Sequence, residues 1–211
     1  MNCYCYFERI NNLADPIIEL WKESWSKHGW NPIVLGGRDF LDWVDGPTYD
    51  ARIYELPTIN NPIYERACYR RWGVMANIGG GIMLDYDVMN YGFTPDDVRY
   101  IPEKCLMLDP NSPCVVIGDQ NAFMAACRTF MDYKVKDTDL AGRFPHVSDM
   151  TISNSVRFNS EDEKASCFVW ASPLLCCEFG DSGWETKPLV HFAHFSVKGK
   201  SKLETIKSVQ R

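Results

Sequence analysis

Two aspartates spaced i, i+2, Asp85 and Asp87, close the run Gly-Gly-Gly-Ile-Met-Leu-Asp-Tyr-Asp-Val at 79–88. Glycines, a short apolar run and then charge read as a buried strand that ends at the acid pair. Alternate residues of a strand face one side, so both carboxylates would aim at the same ligand. Desolvating two carboxylates is costly unless something positive meets them. A hard divalent cation bridging to a diphosphate would do so, since Mg²⁺ takes one or two protein carboxylates plus phosphate oxygens. The carboxyl ends of sheet strands in α/β folds are where ligands bind. Glycine ahead of the strand, Gly80 among them, would let a backbone come close to such a ligand. The competing reading of a bare Asp-x-Asp is a solvated strand end or an Asx-type turn.

Three further groups carry chemistry-bearing side chains. The first is 188–196, with His191 and His194, followed by Lys198 and Lys200. A neutral imidazole can complete the coordination of a Mn²⁺-like ion beside carboxylates, and a lysine can meet a diphosphate as a point charge. The second is Asp119 and Gln120, at the corner between an apolar strand and a helix; Asp119 is either an N-cap or a ligand-edge residue. The third is Ser148 and Asp149, which would bind acceptor hydroxyls or form a loop turn. Trp43, Trp72, Trp170 and Trp184 are candidates for stacking on sugars, although most should be core.

Arg71-Trp72, Val74-Met75-Ala76 and the 79–88 run together resemble the DXD region of GT-A-fold glycosyltransferases. The likeness is to the retaining group that includes the yeast initiating mannosyltransferase and the clostridial toxin glucosyltransferases. It covers about 20 residues, with a third glycine as a one-residue departure. What it implies is a donor nucleoside-diphosphate sugar, with UDP the commonest nucleotide among relatives, and a glycan or other hydroxyl acceptor. Asp85 would touch the donor and Asp87 would ligate Mn²⁺ or Mg²⁺. Arg71 would hold Asp85 or the donor, with Arg70 an equal contender. His194-Phe195-Ser196 followed by Lys200 is similar to the late His-Phe-x-Gly-x-x-Lys element of glycogenin-like relatives, with Val197 departing at the glycine. That likeness favours His194 over His191 as the third metal ligand, and places Lys198 and Lys200 on the leaving diphosphate. Asp119, Gln120 and Asp149 are the expected catalytic set; Tyr6, Arg38 and the 40–61 segment are expected to shape donor selectivity. Two other readings remain: a non-catalytic nucleotide-sugar-binding module, and a haloacid-dehalogenase-type phosphatase, whose Asp-x-Asp wants Gly-Thr where this chain has Val88-Met89.

The elements that must position these residues follow from periodicity. Strands are expected at 2–7, 31–35, within 79–88 ending at the Asp pair, and at 105–108, 114–117, 166–171 and 189–196, and helices at 16–28, 63–77 and 119–131. The strand–helix–strand order over 2–35 is a βαβ unit, which requires parallel pairing. Segments 40–61 and 145–165 read as loops. The expected architecture is a single GT-A-type α/β domain over 1–197, a Rossmann-like, mostly parallel sheet flanked by helices. Residues 198–211 would form a basic tail, or a linker where the natural chain continues.

At 211 residues and 45% apolar composition the chain can bury a core. Its 28 acidic and 22 basic residues leave a net charge of −6, with no basic cluster of the kind nucleic acids need. The nine cysteines show no Cys-x-x-Cys pair, so their spacing argues against zinc and for reduced, buried thiols. The N-terminus lacks a signal-peptide pattern, and no apolar run is long enough to span a bilayer. A cytoplasmic location is the expectation.

Overall fold

The computed structural model describes residues 1–9, 14–136, 146–158, 166–194, 197 and 201–209. Nine strands fall within them: β1 (Asn2–Tyr6), β2 (Asn31–Leu35), β3 (Gly80–Leu84), β4 (Val88–Asn90), β5 (Cys105–Met107), β6 (Val115–Asp119), β7 (Phe168–Trp170), β8 (Cys176–Glu178) and β9 (Leu189–His191). The helices are α1 (Asp15–Ser26), α2 (Gly37–Leu41), α3 (Gly46–Tyr54), α4 (Pro62–Asn77), α5 (Gln120–Asp132), α6 (Asp149–Phe158) and α7 (Lys202–Ser208).

A six-stranded sheet in the order β2-β1-β3-β6-β5-β7 forms the centre. Strands β2, β1, β3, β5 and β7 run one way and β6 runs against them. The expected mostly parallel sheet is therefore present, as is the β1–α1–β2 unit. This is a mixed α/β, Rossmann-like arrangement. A smaller sheet, β4-β9-β8, stands beyond the end of β3.

Alternation along the strands divides the core in two. Cys3, Cys5, Ile82, Leu84, Val115 and Ile117 face one side, packed against α1 and the small sheet. Met83, Val116 and Met107 face the other, beneath α3, α4 and α5. Helix α1 presents Ile17, Trp21 and Trp25 at four-residue intervals, one per turn, which lays a single stripe on the sheet. All nine cysteines are free thiols and seven are buried, in keeping with their reading as small core hydrophobes.

Three local expectations need correction. The 40–61 segment, read as a loop, contains α3, and α2 overlaps its start, because Phe40, Tyr49 and Ile53 are buried against α4 and its neighbours. The 145–165 segment holds α6, whose Ile152 is buried. Residues 201–209 are no detached tail: α7 buries Thr205 and Ile206 in the same core as β4 and β9. In each case tertiary burial outweighs weak local propensity.

Candidate metal and donor corner

The end of β3 delivers Asp85 to the carboxyl edge of the sheet, but the aspartates do not lie on a continuous strand. Asp85 accepts the Val88 amide at 3.1 Å, which closes a turn through Tyr86 and Asp87 before β4 begins. Convergence of the carboxylates thus comes from that turn and from its neighbours, not from strand alternation. Strand β9 pairs antiparallel with β4 so that His191 lies opposite Val88. Phe192 N–H also donates to the Asp87 carbonyl at 2.9 Å, which fixes the turn against β9. Donor atoms of Asp85, Asp87 and His191 all lie within 4.8 Å of one another.

The acids are held by cations from distant segments. Arg71, in the last turns of α4, ion-pairs with Asp85 and donates from Nη2 to Asp149 Oδ2 at 2.6 Å. Trp72 Nε1 donates to the same Asp149 oxygen at 2.9 Å. Lys202, at the start of α7, ion-pairs with Asp87, and His191 Nε2 stands 3.4 Å from Asp87 Oδ1. Burial pushes the Asp85 carboxyl up, with Arg71 opposing. Burial pushes Asp87 the same way, but His191 and Lys202 outweigh it and hold that carboxyl well below the ordinary range. Burial alone would lower His191; the proximity of Cys114 and Asp87 raises it instead. Of these two, Asp87 is the effective partner at neutral pH, because burial keeps the Cys114 thiol protonated.

The sequence assigned these residues unevenly. The structure brings Asp85 and Asp87 together and puts Arg71 on Asp85. Arg70 does not compete, because Glu8 and Asp50 hold it at 2.8 Å each. The imidazole brought to the acids belongs to His191 and not to His194, since the β4–β9 register places residue 191 opposite the turn. Lys198 and Lys200 lie outside the described residues; the cation seen on Asp87 is Lys202, which the sequence reading missed. Spacing gave no hint of it, because 115 positions separate the two partners.

Asp119 and Gln120 belong to the other end of the sheet. Strand β6 is antiparallel to β3 and pairs Asp119 with Gly80, about 16 Å along the strand from Asp85 at 3.3 Å per residue. Asp119 caps α5 by accepting the Ala122 amide at 2.7 Å, and Gln120 donates to the Ala76 carbonyl. Gly80 is likewise at that far end. Its φ is +84°, and a Cβ there would lie 2.5 Å from the Asp119 backbone, so the close approach it permits is to β6 and not to a ligand. Asp149, expected in the catalytic set, is buried, and its Oδ2 is taken up by Arg71 and Trp72. Tyr6 and Arg38 do reach the carboxyl edge: Tyr6 lies one residue past the Cys5–Leu84 pair and bonds Glu8, and Arg38 is exposed just after β2. Trp43 and Trp72 are core; Trp170 and Trp184 are partly buried.

Fold and corner together define a Rossmann-like α/β protein with a metal-capable acid–imidazole cluster at the carboxyl edge of its sheet. Comparison of the chain with protein-family models, with curated proteins and with solved structures finds no match to any. Among the described residues no helix is long and apolar enough to cross a membrane.

Proposed function

We propose that the protein is a metal-dependent transferase that moves a sugar from a nucleoside-diphosphate sugar to a hydroxyl acceptor, with the corner at Asp85 and Asp87 as its donor site. The observation that carries this reading is the meeting of Asp85, Asp87 and His191 at the carboxyl ends of parallel strands. Two carboxylates suit Mn²⁺ or Mg²⁺, so the acid pair fits the expected ion. Asp85 and Asp87 would hold it, with His191 against Asp87. Bound there, a divalent cation supplies charge neutralisation for a departing diphosphate.

The chain's own residues supply the remainder. Arg71, clamped by Asp149, fixes the Asp85 carboxylate in place. Lys202 neutralises Asp87 in the free protein and is released to the diphosphate when a cation takes its place, a role that the sequence had given to Lys198 and Lys200. Tyr6 and Arg38 border the same edge and are placed to contact the nucleotide. In the transfer the bond between the sugar's anomeric carbon and the diphosphate oxygen breaks. The acceptor oxygen forms the new bond, and its proton leaves with the diphosphate.

A thermal-shift panel of UDP-, GDP- and dTDP-sugars with and without Mn²⁺ tests the reading. Stabilisation should require nucleotide and metal together, about 2.7 kcal/mol at a ligand concentration one hundred times Kd. Asp87→Asn should abolish the shift and lower Mn²⁺-dependent transfer or donor hydrolysis by about 10²–10³-fold, the usual cost of losing one electrostatic stabiliser. A panel in which no nucleotide raises Tm, or a variant with full Mn²⁺-dependent activity, overturns the assignment.

A further inference from the structure

Directly behind the donor corner lies a second group of metal-capable side chains, which sugar transfer does not use. Asp109, Cys114 and Cys176 each offer a donor atom, and the three atoms lie within 4.8 Å of one another. They are brought together where the large and small sheets meet. Leu108 N–H donates to Val115 at 3.1 Å, which turns the chain from β5 into β6 with Asp109 and Cys114 on either side. Cys176 N–H donates to Leu108 at 3.0 Å, which seats the start of β8 on the same turn. Asp85 N–H donates to the Cys114 carbonyl at 2.8 Å, so this cluster and the donor corner share a backbone contact.

The cluster is sealed, with Asp109 and Cys114 at 0% exposure and Cys176 at 1%. Asp109 Oδ1 accepts the amides of Asn111 and Ser112 at 2.8 Å each, whereas Oδ2 is buried without a partner. An unanswered oxygen on a buried carboxylate is costly, and a cation is what would answer it. The sulfurs of Cys114 and Cys176 are 3.8 Å apart, and both are free thiols. Two thiolates on a tetrahedral ion with metal–sulfur bonds of about 2.3 Å stand about 3.8 Å from each other. His191 offers a fourth donor: its Nδ1 is buried without a partner, and β9 carries it on the same face as Leu189, which pairs with Cys176.

We propose that Asp109, Cys114 and Cys176, closed by His191 Nδ1, form a structural zinc site that braces the floor of the donor corner. Thiolates select Zn²⁺ over the Mg²⁺ and Mn²⁺ that carboxylates prefer. On binding, both thiols and Nδ1 of the His191 imidazolium release their protons to solvent, and no residue changes oxidation state. With Nδ1 on zinc the imidazole keeps its proton on Nε2 and donates it toward Asp87, the carboxylate–histidine–zinc relay seen at many zinc centres. His191 then positions Asp87, and the ion of the donor corner is left to the two aspartates.

Metal analysis of the purified, reduced protein, followed by replacement of zinc with Co²⁺, tests the site. The expected result is one zinc per chain and, with Co²⁺, a thiolate-to-metal charge-transfer band in the near ultraviolet. Cys176→Ser should lose both, whereas Cys127→Ala, which removes a buried thiol on α5, and Asp87→Asn should keep both. If Cys176→Ser fails to fold, the wild-type chain decides alone. Absence of zinc together with absence of a charge-transfer band on Co²⁺ addition overturns the proposal. So does a Cys114–Cys176 disulfide in the protein as isolated, or a Co²⁺ band that survives Cys176→Ser.

Discussion

The two metal-capable clusters differ in how their charge is answered. At the donor corner three carboxylates, Asp85, Asp87 and Asp149, face Arg71, Lys202 and His191, and the Asp85 side chain keeps 26% of its exposure. The thiol cluster is shut off from solvent and holds a carboxylate oxygen with no partner. A site whose anions already have protein cations does not need an ion to be stable, and an incoming ion must displace one of those cations. That suits an exchangeable ion that comes with a nucleotide. A sealed site with an unanswered anion suits an ion bound once, at folding. Both clusters meet at His191, so one imidazole can couple a permanent brace to an exchangeable site.

The comparison can be broken most sharply at Arg71. Arg71→Met leaves Asp149 buried with no cation, its remaining polar partners being Trp72 and the Met150 amide, and removing one member of a buried pair costs about 3–5 kcal/mol. Urea unfolding should show that loss, while the Co²⁺ spectrum of the thiol cluster stays unchanged. A loss under about 1 kcal/mol would mean that the corner is not held by this ion pair.

Glu65, one turn and a half before Arg71, tests how dry the ground behind the corner is. Burial pushes its carboxyl up to about 7, against hydrogen bonds from Asn60 and Thr58. An acid with a raised folded pKa stabilises fully below its unfolded value, near 4.5, and that contribution is lost as pH rises through about 7. Glu65→Gln, which cannot ionise, should therefore gain on the wild type between those values. The gain should level off near about 3 kcal/mol above pH 8, as Tm measured across pH 4–8 would show. A difference independent of pH would place the Glu65 carboxyl in water.

Lys202→Met addresses the exchange itself. With the competing ammonium gone, Mn²⁺ should bind more tightly by about 1.5–3 kcal/mol, the worth of a hydrogen bond to a charged group, while transfer slows. Calorimetric titration with Mn²⁺ reads the first effect and turnover the second. Unchanged Mn²⁺ affinity would show that Lys202 is no competitor. The smallest effect belongs to the exposed pair Lys22–Glu19, at 2.8 Å with side chains 41% and 72% exposed. Lys22→Met should change stability by about 0.5 kcal/mol or less, a baseline for what an ion pair contributes when water already solvates it.

Much of the frame was legible in the chain because its signals are local. Strand β1, helix α1 and strand β2 follow from apolar periodicity with Pro16 in the first helical turn and Gly29 after the last. The capped helix α5 follows from Asp119, and the acid pair from the glycine-bounded run at 79–88. Helices α3 and α6 were not legible, because their Gly, Pro, Ser and Thr content hides an apolar face that only neighbouring elements reveal. The direction of β6 was not legible either, and it moves Asp119 and Gln120 to the edge of the sheet opposite Asp85.

Local order along the chain, then, determined β1, α1, β2, α4, β3 and α5 and the acid pair that follows β3, whereas the place of Arg71 on Asp85 came from the family resemblance. Tertiary structure alone chose His191 over His194, brought Lys202 onto Asp87, and closed Asp109, Cys114 and Cys176 around one point. The reason is that side-chain chemistry depends on distances of a few ångströms, and between residues 62 or 115 positions apart those distances are fixed by sheet register and packing, which no spacing rule records.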